Sequence, residues 1–102
     1  MGRYPLIAII KENENKANVI YSFGPDIHSC ERYPQLYRRW SFKVLKNETN
    51  PDEAFVLLND MPKEHVSLLY KCIHKVYVHV KENGGMENMN NIEFPEYLEF
   101  IV

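Results

Sequence analysis

Asp60-Met61-Pro62-Lys63-Glu64-His65-Val66-Ser67-Leu68-Leu69-Tyr70-Lys71-Cys72-Ile73-His74-Lys75-Val76-Tyr77-Val78-His79-Val80-Lys81-Glu82 is the stretch on which the fold turns. Val66, Leu69, Ile73, Val76 and Val80 recur at intervals of three and four, the stripe of a helix that buries one face. Asp60 can cap the free amides, Pro62 suits the first turn, and Asn83-Gly84-Gly85 supplies a left-handed stop. The spacing predicts one amphipathic helix over 62–82. Its second half has a rival, because Val76, Val78 and Val80 also alternate with Tyr77, His79 and Lys81 as a strand would. The residues after Gly85 are polar and offer no hairpin partner, which favours the helix. Its polar side (Lys63, Glu64, Ser67, Lys71, Lys75) carries no recognisable chemistry and reads as scaffold.

Working back from the helix, the pattern changes period. Leu6-Ile7-Ala8-Ile9-Ile10 and Val19-Ile20-Tyr21-Ser22-Phe23 flank a polar segment, 11–16, and end at Gly24-Pro25. This reads as a hairpin with a long polar turn whose first strand, apolar on both faces, is central in the sheet. Residues 26–35 lack periodicity and read as loop or short helix. Trp40, Phe42 and Val44 alternate with Ser41 and Lys43, a half-buried strand. Ala54-Phe55-Val56-Leu57-Leu58 is ambiguous. Asn50 before Pro51-Asp52-Glu53 is a good helix start, yet Asp60 and Pro62 follow too soon for a stable helix, so a strand is preferred.

Beyond the helix, 82–91 reads as an Asn-rich polar loop, and Tyr97 to Val102 as a final strand at an edge, after Pro95. Asn91-Ile92-Glu93-Phe94-Pro95-Glu96-Tyr97-Leu98-Glu99-Phe100-Ile101 also resembles the end of a calcium-binding EF-hand loop and its exit helix. That resemblance would make Glu96 the bidentate ligand, Ile92 the loop-pairing residue, and 96–102 a helix. Counting back from Glu96, the first, third and fifth loop positions fall on Gly85, Glu87 and Met89, and Asn90 replaces the turn glycine. Such a shell lacks the first and fifth carboxylates and the sharp-turn glycine that calcium binding needs.

The expectation is an α+β fold, a small mostly antiparallel sheet of four to five strands packed by the helix over 62–82. A chain of 102 residues reads as one domain, 1–102, since halves of it would need disulfides or metals to fold alone. Its longest apolar runs are five residues, far short of the roughly 20 that cross a bilayer. No signal peptide is evident, and two cysteines 42 residues apart are not a secreted disulfide framework. The expected location is therefore cytoplasmic, with reduced thiols. Abundant Asn, Lys, Glu, Ile and Tyr suggest AT-rich coding, a usage met in viral, phage and mobile-element proteins.

No catalytic constellation stands out. Cys30 is two residues from His28, and Cys72 two from His74, a spacing that points the side chains apart on strand or helix. His65 and Cys72, seven apart, could share a helix face, but the His and Cys set has no zinc spacing. His74, His79 and Glu64 would serve an enzyme only if they converged. No glycine-rich phosphate loop is present. Neither a cofactor nor a metal is expected, and the chain reads as non-enzymatic.

Charge is segregated. Arg32, Arg38, Arg39, Lys43 and Lys46 stand among Tyr33, Tyr37, Trp40 and Phe42 with no acid, whereas Glu82, Glu87, Glu93, Glu96 and Glu99 have no base among them. The leading expectation is a small protein–protein interaction module, an inhibitor or adaptor, with Arg32, Tyr33, Tyr37, Arg38, Arg39 and Lys43 as its interaction surface. The alternative is a nucleic-acid-binding module using segment 32–46, opposed by the net charge of −2. An open strand edge would also let two copies pair as a homodimer.

Overall fold

The computed structural model describes residues 6–25 and 39–101. Strands β1 (Leu6–Glu14), β2 (Asn18–Pro25), β3 (Trp40–Leu45), β4 (Phe55–Leu57) and β5 (Tyr97–Ile101) form one antiparallel sheet in the order β4-β3-β2-β1-β5. Two helices, α1 (Pro51–Ala54) and α2 (Val66–Glu82), and two 3-10 segments, Lys63–His65 and Met86–Asn91, complete the described elements. This is the expected α+β architecture, with the α2 helix packed on a five-stranded sheet.

The first strand is flanked by β2 and β5, and Ile7, Ala8 and Ile9 are all buried, which is why it is apolar on both faces. The polar turn is shorter than its composition suggests. β1 and β2 continue pairing through Glu14 and Val19, so residues 11–14 are strand. Asn15 closes the remaining turn by accepting 2.8 Å hydrogen bonds from the Ala17 and Asn18 amides on its Oδ1. The register slips between Lys11 and Asn13, a β-bulge centred on Glu12.

The inner face of the sheet presents Ile7, Ile9, Val19, Tyr21, Phe23, Phe42 and Val44 to Leu69, Cys72, Val76 and Val80 of α2. Tyr21 and Phe42 stack with centroids 5.8 Å apart, and Phe23 meets Phe42 at 5.6 Å, pairs worth about 0.5–1.5 kcal/mol beyond area burial. The helix buries Cys72 at the centre of its stripe, whereas Ile73 is only half-buried, so its contact face is rotated from the all-aliphatic stripe. Residues 76–80 are helical, with Val76 and Val80 both fully buried, because the sheet offers their side chains a second layer and no strand partner.

Three other expectations are corrected. Asp60 does not cap the helix, since a 3-10 turn, Lys63–His65, precedes α2 and the N-cap residue is His65, without a side-chain cap. Segment 54–58 is divided. Asn50 caps the single turn α1 by accepting from the Asp52 amide at 3.0 Å, and the chain then straightens into β4. Residues 86–91 are a 3-10 segment rather than open loop, and bury Met89 in the core. The glycine stop is as expected, the Gly85 amide reaching the Val80 carbonyl at 2.8 Å with φ of 87°.

Segment 97–101 is an edge strand on β1, and Ile92 and Phe94 are buried in the core. The calcium-loop resemblance therefore has no exit helix behind it. Among the described residues, no helix is long and apolar enough to cross a membrane.

Candidate functional site

Because strand side chains alternate, packing α2 on one face leaves a second, outer face. Across it run Ile10 opposite Ser22 and Tyr97, and Ile20 opposite Lys43, which in turn faces Val56. Ile10, Ile20, Lys43 and Leu45 are half-buried, while Val56 is 41% exposed and Tyr97 is 47% exposed. Leu58, just past β4, is 42% exposed and continues the pairing through its amide to the Ser41 carbonyl at 2.8 Å.

Arg39 crosses one end of this face. Its Nη2 donates to the Ala8 carbonyl at 2.9 Å and the Ser22 carbonyl at 3.0 Å, and its Nε donates to Ser22 Oγ at 3.2 Å. Ser22 Oγ in turn donates to Glu12 Oε1 at 2.6 Å. Nη1 adds a long contact of 3.5 Å to the Gly24 carbonyl. The planar guanidinium can satisfy several acceptors in one plane, so Arg39 pins β1 to β2 and covers Ala8 and Ser22, both buried. The bulge contributes Glu12 to this chain, and no described buried side-chain polar atom lacks a partner.

Of the residues expected to form the interaction surface, Arg39 and Lys43 both belong to the outer face. Arg39 is engaged with its own sheet, and Lys43 has no acidic partner among the described residues. Arg32, Tyr33, Tyr37 and Arg38 lie outside the described residues, as do His28 and Cys30. The apolar members of the face, Ile10, Ile20, Val56 and Tyr97, are not apparent from charge patterning. Their signal is the apolar residue at the position where a half-buried strand should be polar, as at Ile10 and Ile20.

The opposed charge blocks do not pair among the described residues. Lys46 bonds Glu14 Oε2 at 2.8 Å with its Nζ 5.7 Å from the Phe94 ring centre, and Lys11 bonds Glu14 Oε1 at 2.8 Å. Burial pulls the Glu14 carboxyl upward, but the hydrogen bonds and charges of Lys11 and Lys46 outweigh it and hold the group below its usual range. A hollow open to solvent lies beside this triad, lined by Glu14, Asn15, Lys16, Lys46 and Asn90.

The candidate chemical groups are dispersed. Cys72 is buried, and burial pushes its thiol up to about 12, the Arg39 charge offsetting only part. His74 is exposed, two residues away, and His65 meets the Trp40 ring at 5.6 Å rather than Cys72. His79 Nε2 lies 2.9 Å from the Glu93 carbonyl. Among the described residues, no three His, Cys, Asp or Glu side chains gather where they could hold a metal.

Compared with protein-family models, curated proteins and solved structures, the chain matches none of them.

Proposed function

We propose that this protein acts non-enzymatically, as an inhibitor or adaptor that occupies a protein partner through the outer face of its sheet. One observation carries the reading: a half-buried apolar strip, Ile10 and Ile20, runs to Val56, which is 41% exposed, and Tyr97, which is 47% exposed. Its aliphatic members and its exposed Tyr suit the centre of a protein interface, which is rich in aromatics, with Arg39, Lys43 and Glu99 as charged members around them. Arg32, Tyr33, Tyr37 and Arg38 adjoin the face along the chain through Arg39 and belong to the same proposed surface.

A nucleic-acid role for segment 32–46 has less support, because the Arg39 guanidinium is taken up by Ala8 and Ser22. The two readings separate in one experiment. Affinity purification from the native host is run with wild type, Val56→Asp and Tyr97→Asp, each with and without nuclease. A partner protein that survives nuclease and is lost with both variants supports the outer face. Retention by both variants overturns it, and co-elution only without nuclease transfers the reading to nucleic acid.

A further inference from the structure

We infer that the outward side of α2 binds single-stranded nucleic acid, with Lys71 and Lys75 on phosphates and Tyr70 stacking on a base. Tyr70 is 65% exposed, the most exposed of the large apolar side chains described. It projects from the side of α2 away from Leu69, Cys72, Val76 and Val80, and Lys71, His74 and Lys75 surround it within about one and a half turns. Among the described residues neither lysine has an ion-pair or hydrogen-bond partner.

This arrangement is not what helix stability selects. Lys71 and Lys75 stand four apart, where like charges repel by about 0.2–0.5 kcal/mol, and α2 has no acid in its first turn to complement its dipole. Nor does solubility ask for it, since the formal net charge is −2 and each added lysine brings the molecule closer to neutrality. A paired cationic row beside an exposed ring is what a single strand requires, the cations following the backbone while every base offers a face to stack on. A duplex would leave the ring without a stacking partner. An acidic protein surface would match the charge, but lysine is depleted in such interfaces.

The footprint is bounded at the C-terminal end of the helix by the chain itself. Lys81 sits with its Nζ 5.6 Å from the Tyr77 ring centre, and Glu82 ends the helix ahead of the acidic residues Glu87 and Glu93. A phosphate chain is thereby repelled beyond the last turn and held over the first three. Lys71 and Lys75 are separated by about 6 Å along the axis, so one strand can touch both without bending.

The test is fluorescence anisotropy of the full chain with a labelled oligothymidylate of about 15 nucleotides, titrated from about 50 to 200 mM salt. Binding is expected at low salt. Replacing each lysine with Gln should flatten the slope of log affinity against log salt by about 0.7. Tyr70→Ala should weaken binding roughly 5- to 150-fold at unchanged slope. The three side chains are exposed, so the helical circular dichroism should stay that of wild type, which separates lost contact from lost fold. Absence of binding at the lowest salt overturns the inference, as does binding that Lys43→Gln removes and Lys71→Gln does not. Equal binding of a polyglutamate peptide with no dependence on Tyr70 assigns the face to an acidic protein and overturns it too. Loss of the Val56 and Tyr97 partner leaves this result untouched, because the two faces lie on opposite sides of the molecule.

Discussion

The Tyr21 hydroxyl donates a 2.7 Å hydrogen bond to the Pro95 carbonyl, tying the centre of β2 to the chain that leads into β5. Tyr21 is fully buried, so this acceptor replaces the water its hydroxyl would otherwise have. Burial, and secondarily the Glu14 charge, holds the phenol well above its ordinary 10.0.

Tyr21→Phe should therefore keep the fold and lose about 1–3 kcal/mol, because the Pro95 carbonyl is left without its donor. Urea unfolding followed by circular dichroism measures this. The raised phenol also sets a sign: its contribution is full below the ordinary value and declines as pH rises from there toward its folded value. Tyrosine absorbance of wild type should keep a component that ionises only above the ordinary phenol range, and that component should be absent in Tyr21→Phe.

Arg39→Lys is the sharper test of the outer face. A lysine cannot serve the Ala8 carbonyl and Ser22 Oγ in one plane, so about 1.5–3 kcal/mol should be lost despite the retained charge. If chemical denaturation shows the Arg39→Lys variant to be as stable as wild type, the guanidinium does not bind β1 to β2.

Glu14→Gln should destabilise by less than about 1 kcal/mol at neutral pH, since the triad with Lys11 and Lys46 is partly exposed and screened. The carboxyl is held below its ordinary 4.5, so its contribution is present above that value and lost as pH falls through the folded one. Unfolding midpoints of wild type and variant should differ at pH 7, approach each other in acid, and draw closer in high salt.

Cys72 should be inert to thiol reagents in the native state and reactive in denaturant, as read by mass spectrometry of the peptide that contains it. Its thiol, raised from 9.0 to about 12, contributes stability that is full below pH 9 and declines as pH rises toward the higher value. Labelling of Cys72 in native buffer at the rate of an exposed thiol would contradict the packing of α2.

Much of the fold is legible because side-chain period reports on burial. The helix α2 (Val66–Glu82), the strand from Trp40 and the central first strand follow from that rule. It blurs where a short element is held by distant partners. Phe55, Val56 and Leu57 are extended because they pair with Val44, Lys43 and Phe42. Lys11 and Glu14 remain strand despite their polarity because β2 hydrogen-bonds them and Lys46 reaches across to Glu14. Met89 is core because the Gly85 stop folds the 3-10 segment back, which a polar composition conceals.

The candidate sites divide along the same line. Charge patterning singled out Arg39 and Lys43 equally, and only the third dimension gives them different tasks, one satisfying carbonyls and the other standing between Ile20 and Val56. Tyr70 falls outside the apolar stripe by spacing alone, but its 65% exposure depends on which way α2 rolls when Cys72 takes the centre of the contact. By itself the sequence determined that a helix and a sheet would form, because local periodicity and turn residues act between neighbours in the chain. Tertiary structure alone decided which outward residues share a surface, because strand order, the Glu12 bulge and the roll of α2 arise from contacts between residues far apart in sequence.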